Sequence, residues 1–222
     1  YFLVESTSFF SCKTSSAYGG AIYFSNSGGQ CVLHEVCGYD CCITNANHYQ
    51  FAYIYVKNDA SSKNYVNYSS IVRCVNENSD TQRTLGLIYG NICCPSVNLS
   101  MNKCYYRLIY CQPYSASNSV TCSFSYSSFT DNTATGHCCI WLWTQGANYE
   151  IKSCNILRNA QIVYPNSEGT ILTRGNLKID DSCILENTAT YIFYTYSPYT
   201  TTLSNCTVDK TTNNAYLTTK NT

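Results

Sequence analysis

The chain has 222 residues, within the range of one β-rich domain, and its 13 Lys+Arg balance 13 Asp+Glu. It therefore lacks the basic excess of a phosphate-neutralising nucleic-acid binder and the basic cluster of an anionic-membrane binder. Ser, Thr and Asn number 26, 24 and 23, a third of the chain, beside 22 Tyr and one Met, a bias that opposes long helices and suits strands, so an all-α fold is excluded.

A repeat organises the chain: at fixed offsets stand a residue that is apolar in seven of eight units, a mostly small one, an anchor that is apolar in seven of eight and a Cys or Asn in seven of eight, and a second strand candidate follows in the first seven units. The first unit reads Val4, Thr7, Phe9, Cys12, then 21–24; the second Leu33, Val36, Gly38, Cys41, then 51–56. The third reads Val66, Ser69, Ile71, Cys74, then 85–89, and the fourth Ser96, Leu99, Met101, Cys104, then 105–110. Phe124, Ser127, Phe129, Asn132 and 140–143 make the fifth; Ile151, Cys154, Ile156, Asn159 and 170–173 the sixth. Ile179, Ser182, Ile184, Asn187 and 191–196 form the seventh, and Leu203, Cys206, Val208, Thr211 the eighth. In seven of the eight units the residue after the first apolar position is polar, so each unit switches from inside to outside. Asn, Ser, Asp and Pro content predicts loops at 58–64, 76–83, 112–119 and 166–169.

The anchors recur about every 28 residues, which with strand-favouring composition predicts a parallel β-solenoid, one unit per coil. Leucine-rich repeats need a Leu frame that is missing, and propeller blades need about 40 residues. At about 4.8 Å per coil, eight coils make a rod roughly 35–40 Å long. The whole of 1–222 reads as a single β-helix segment whose terminal coils would present open edges, as expected of part of a longer protein or a filament subunit.

Gly19-Gly20-Ala21-Ile22 and Phe129-Thr130-Asp131-Asn132 resemble the GGAI and FxxN tetrapeptides of polymorphic outer-membrane-protein repeats, found in chlamydial surface proteins and in large surface-protein families of protists such as trichomonads. Ile156-Leu157-Arg158-Asn159 and Ile184-Leu185-Glu186-Asn187 are similar, with Ile for Phe. The Cys-for-Asn exchange in earlier units resembles the protist members more. The resemblance implies a right-handed parallel β-helix of about eight coils, exported and displayed, with roles in adhesion.

Two columns are assigned structural roles. Asn132, Asn159 and Asn187 would stack as an amide ladder. Cys12, Cys41, Cys74 and Cys104 would stack as buried thiols, because in-register Cβ vectors run parallel and make a disulfide torsion awkward. The vicinal pairs Cys41-Cys42, Cys93-Cys94 and Cys138-Cys139 each put one sulfur in and one out, the outer sulfurs being the better disulfide candidates. His34, Cys37, Cys41 and Cys42, and His137 with Cys138 and Cys139, are the sharpest metal-like groupings. Their spacing fits a helix or tight turn rather than strands, so no metal or cofactor is assigned. The seven Asp residues are scattered, and the adjacent Asp180-Asp181 would face opposite ways on a strand, so no catalytic carboxylate pair is assigned. Tyr53 and Tyr55, and Tyr194 and Tyr196, alternate with apolar neighbours and could stack along the rod or form a contact surface for sugars or proteins. No run of 18 apolar residues is present to span a bilayer as a helix.

The functional expectation is a non-catalytic extracellular or cell-surface structural or adhesive protein whose partners are other protein subunits or cell-surface glycans. The competing readings are a polysaccharide-cleaving enzyme (lyase or glycoside hydrolase) and an intracellular scaffold. Three sequons, at Asn67, Asn98 and Asn205, fall at register positions predicted to face outward, so N-glycans are expected there.

Overall fold

A chain rich in Tyr and Thr, with apolar residues alternating over short runs that recur about every 28 residues, can bury one face of each strand by stacking coil on coil. That is what the computed structural model shows; it describes residues 1–15, 18–44, 49–75, 83–116, 118–162 and 169–222. The described residues form an all-β parallel solenoid of about 7 turns with about 28 residues per turn. Three long sheets run along it, of nine, eight and seven strands among the described residues. The first sheet begins with strand Phe2–Glu5, the second with Ser8–Phe10 and the third with Ile22–Ser25. Two short sheets, Lys13–Thr14 with Cys42–Ile43 and Lys103–Cys104 with Thr133–Ala134 and Ala160–Gln161, lie between the second and the third.

Register makes each inward column continuous. In the first sheet Val4 pairs with Leu33, Leu33 with Val66, Phe124 with Ile151, and Ile179 with Leu203. In the second sheet Phe9, Gly38, Ile71, Leu99, Phe129, Ile156, Ile184 and Val208 form one column. The third sheet closes the triangle with Ile22, Ala52, Leu85, Ile109, Ile140, Ile171 and Phe193. The interior members of these columns are buried, while Val4, Phe9 and Val208 of the terminal coils are half-buried. Each second strand expected from sequence lies in the third sheet, displaced by at most two residues at either end: 105–110, for example, is Arg107–Gln112.

The fourth unit corrects the sequence reading. Leu99, not Met101, pairs with Ile71 and Phe129. Met101 instead turns a corner with φ 54° and is exposed. An apolar residue stands at both positions, so hydropathy could not separate them. With the register moved by two, Cys104 leaves the column that begins Cys12, Cys41, Cys74, and Asn102 takes its place. Cys104 is buried instead in strand Lys103–Cys104, opposite Ala134. The expected loop 58–64 also ends early, because Lys63 and Asn64 open strand Lys63–Asn67. The expected loops 76–83 and 166–169 lie mainly outside the described residues.

Sharp corners separate the first and second sheets, and end the second. At the first corner Ser6, Glu35, Tyr68, Ser96, Tyr126, Ser153, Asp181 and Asn205 all have φ between 46° and 55°. At the second, Ser11, Asp40, Arg73, Met101, Asp131, Arg158 and Glu186 have φ between 49° and 58°. None is glycine, so each left-handed residue carries a steric cost that the neighbouring hydrogen bonds offset. At the second corner Asn102, Asn132, Asn159 and Asn187 form the amide ladder. Asn132 Nδ2 donates to Asn159 Oδ1 at 2.9 Å and to Leu99 O at 2.8 Å, while its own Oδ1 accepts from Asn102 N at 3.0 Å. In the earlier coils Cys12 and Cys74 donate Sγ–H to the carbonyls of Phe10 and Val72 instead. At the first corner small hydroxyl residues take the place of the amides. Ser69 Oγ accepts from Val36 N, and Ser127 Oγ from Val97 N, each at 3.0 Å.

Candidate binding face on the third sheet

Outward positions of the third sheet carry an aromatic column. Tyr23 pairs with Tyr53, Tyr53 with Gly86, Gly86 with Tyr110, Tyr110 with Trp141, Trp141 with Leu172, and Leu172 with Tyr194. At Gly86 the column has no side chain, and the Tyr49 ring covers the gap: a Cβ there would stand 2.2 Å from Tyr49 Cε1. Two residues further along the strands, Trp143, Arg174 and Tyr196 follow one another through backbone bonds to Cys111, Leu142 and Thr173. Ring centroids lie 5.8 Å apart for Tyr23 and Tyr53, 5.1 Å for Trp141 and Trp143, and 5.4 Å for Tyr194 and Tyr196.

This face has its own apolar cluster outside the main core. Cys138, Trp141 and Leu172 are buried, with Tyr110, Trp143, Tyr194 and Tyr196 half-buried around them. Guanidinium groups lie among the rings. Arg107 Cζ stands 3.3 Å over the Trp141 ring, and Arg174 Cζ 3.7 Å over Trp143 and 4.6 Å from the Tyr196 ring centre. Such stacking contributes on the order of 2 kcal/mol per pair when desolvated. Burial lowers the pKa of Arg107 and raises those of Tyr49 and Tyr110, and it pushes Tyr53 up to about 12. The Nε atoms of Arg107 and Arg174 and Nε1 of Trp141 are buried with no hydrogen-bond partner among the described residues. Among the described residues neither guanidinium has a carboxylate within 4.0 Å. None of the strands of the third sheet contains Asp or Glu. Beside Arg174 a recess of about 170 Å³ is lined by Gln145, Tyr196, Ser197 and Tyr199.

The residues singled out from sequence are distributed differently. Tyr53, Tyr55, Tyr194 and Tyr196 do stand on this face, half-buried. Arg107, Trp143 and Arg174 were missed, because only the pairing of strands far apart in sequence brings them together. The available signal was the aromatic and cationic content of 105–110 and 140–143, two of the expected second strands. The vicinal Cys138 and Cys139 point to opposite sides, as expected, but the outer sulfur is covered by Trp141 and Leu172. Cys41 and Cys42 are both buried, and the outward Cys93 is half-buried. None of the sixteen cysteines is joined to another in a disulfide, so the expected pairing of outward sulfurs does not occur. His34 lies on a first-sheet strand, Cys37 on a second-sheet strand and Cys42 in a short sheet, and no group of three or more His, Cys, Asp or Glu is placed to hold a metal among the described residues.

Of the sequons, Asn205 is exposed at a first-corner position, whereas Asn67 and Asn98 are half-buried. The corrected register moves Asn98 out of the corner column into strand Asn98–Ser100, where its Nδ2 donates to Ser70 Oγ at 2.9 Å. The carboxylates pair at the edges: Asp131 receives Arg158 at 2.7 and 2.9 Å, and Asp180 receives Lys178 at 2.6 Å.

The fold and this face define the class: a parallel β-solenoid with an aromatic and arginine-bearing outer surface. No family model, curated protein or solved structure matches the chain.

Proposed function

We propose that this protein is a non-catalytic extracellular or cell-surface β-helix with a structural or adhesive role, and that the outer face of the third sheet is its contact surface for glycans or other protein subunits. The observation that carries the reading is the run of half-buried rings around Arg107 and Arg174, whose guanidinium groups have no carboxylate partner among the described residues. Aromatic rings fixed by their neighbours give flat apolar platforms at low entropic cost, as sugar rings and protein side chains require.

Likeness to polymorphic outer-membrane-protein repeats supports a displayed protein, and the tetrapeptides have physical reasons here. A Cβ on Gly19 would lie 2.0 Å from Ile22 O, and one on Gly20 2.1 Å from Gln50 O, so no larger residue fits the bend entering the third sheet. The Asn of the second tetrapeptide is Asn132 of the ladder. Asn205 is the sequon best placed to carry an N-glycan. Immobilised glycans and cultured cells test the reading. The chain should be retained, Trp143→Ala should release it, and natively sourced protein should lose mass on deglycosylation. Release of shortened products from acidic polysaccharides by the purified chain would overturn the non-catalytic assignment.

A further inference from the structure

We propose that Arg107, Trp143 and Arg174 form a subsite for an acidic glycan: one sugar ring lies on Trp143, and its carboxylate or sulfate ester pairs with a guanidinium. This rests on the third-sheet face being the contact surface, and it adds the charge class of the partner.

Four observations lead to it. First, Trp143 is half-buried and shared by both cations, Arg174 Cζ covering one face at 3.7 Å and Arg107 Cζ 5.9 Å from its centre, so a sugar ring against the indole surface left open has a positive charge within reach on either neighbouring coil. Second, the two guanidiniums are stacked on indoles, which covers a flat side, and with each Nε buried the terminal Nη donors are the ones left for recognition. A planar fork of donors held in place matches the paired oxygens of carboxylate or sulfate, and a stacked arginine loses little further freedom on binding. Third, no counter-charge stands beside them among the described residues: neither guanidinium has a carboxylate within 4.0 Å, and the third-sheet strands contain no acid. Half-buried cations without partners leave part of their desolvation uncompensated, so an anionic ligand gains what the fold leaves unsatisfied. Fourth, the recess of about 170 Å³ at Arg174 is lined by Gln145, Ser197 and Tyr199, which offer amide and hydroxyl groups to sugar hydroxyls.

Single-stranded nucleic acid also uses aromatic rings and cations, but it needs a basic groove tracking many phosphates. This chain has balanced charge, 13 against 13, and the subsite has two arginines. An acidic sugar needs no more.

The chain's two tryptophans, Trp141 and Trp143, both lie at the subsite, so their fluorescence reports occupancy directly. Titration with oligogalacturonate, sulfated dextran oligosaccharide, neutral oligogalactan and oligothymidylate, with calorimetry alongside, tests the proposal. The acidic glycans should bind about tenfold or more tighter than the neutral one, with quenching, and the advantage should shrink as NaCl is raised. A preference for oligogalacturonate or for sulfated dextran identifies the carboxylate or the sulfate as the group read. Arg174→Gln should collapse the acidic-to-neutral ratio, and Arg174→Lys should restore only part of it. If Arg174→Gln fails to fold, the salt series on the native chain decides. Equal affinity for acidic and neutral glycans, or a salt-independent preference, overturns the acidic subsite and leaves the contact face standing. Oligothymidylate binding as tightly as oligogalacturonate overturns it in favour of nucleic acid. No response to any glycan removes the glycan-binding reading of the face as well.

Discussion

Single residues hold the corners of the solenoid, and they do so by completing hydrogen bonds that a left-handed residue interrupts. Asn159 shows the arrangement in full. Its Nδ2 donates to Phe129 O at 2.8 Å and Asn187 Oδ1 at 3.0 Å, and its Oδ1 accepts from Asn132 N at 3.2 Å and Asn132 Nδ2 at 2.9 Å. Asn159→Ala leaves several buried polar groups unpaired at about 1–3 kcal/mol each, so a loss of about 3 kcal/mol or more is expected in denaturant titration. A loss under about 1 kcal/mol would show that water replaces the amide without cost. Buried thiols make a second contribution, dependent on pH. Burial raises Cys31 and Cys139 to about 12 and Cys154 to about 11 from 9.0. Above pH 9 the unfolded chain gives up these protons while the folded chain keeps them. The stabilisation is thus complete below about pH 9 and falls as pH rises towards 12, each thiol still protonated in the folded chain losing about 1.4 kcal/mol for every pH unit climbed. Melting temperatures measured under reducing conditions should drop steadily across that window, and a flat profile contradicts the assignment.

At the scale of the elements, sheets facing each other trade volume. Gly38 holds the anchor position where other coils carry Ile, Leu, Phe or Val, because the Phe51 ring of the third sheet fills that space. A Cβ on Gly38 would stand 2.3 Å from Phe51 Cε2. Gly38→Val is expected to cost about 1–3 kcal/mol through overpacking. The double variant Gly38→Val with Phe51→Ala should be less destabilised than the two single effects combined, and additive effects in a double-mutant cycle would refute this exchange. The anchor in the fourth unit follows a related rule. Leu99 and Met101 both satisfy a hydropathy pattern, and the choice falls to Asn102, whose amide must stand beside Asn132 to satisfy Cys74 N at 2.9 Å. A polar ladder therefore fixes register where apolar residues are interchangeable.

For the molecule as a whole, one core runs the length of the rod and keeps most thiols from solvent. Cys37 is exposed and Cys12, Cys93 and Cys183 are half-buried, while the other twelve are buried. Alkylation of the reduced native protein should modify Cys37 fastest, those three more slowly, and the remaining twelve only on unfolding; peptide mapping by mass spectrometry reads the order. Rapid native labelling of Cys41 or Cys74 would contradict the solenoid interior. Ile156, fully buried in the second sheet, offers a global check. Ile156→Asp buries an unpaired charge and should abolish cooperative folding, measured by circular dichroism.

The sequence by itself determined the repeat, the strand class and most of the inward columns. These follow from alternation and spacing within about 28 residues, which the chain carries locally. It also carried the Asn132, Asn159 and Asn187 column, since each amide keeps a fixed offset from its anchor. Only the tertiary structure decided the fourth unit's register, because the hydrogen bonds that choose Leu99 over Met101 run between coils. The same is true of the third-sheet face. Arg107, Trp143 and Arg174 come from successive coils whose third-sheet strands stand at unequal distances from the second-sheet anchors, Ile109, Ile140 and Ile171 following Leu99, Phe129 and Ile156 by 10, 11 and 15 residues, so no fixed offset from the anchor aligns them. Coil-to-coil pairing sets Arg107 beside Trp141 and Arg174 beside Trp143, and that pairing is a property of the folded rod alone.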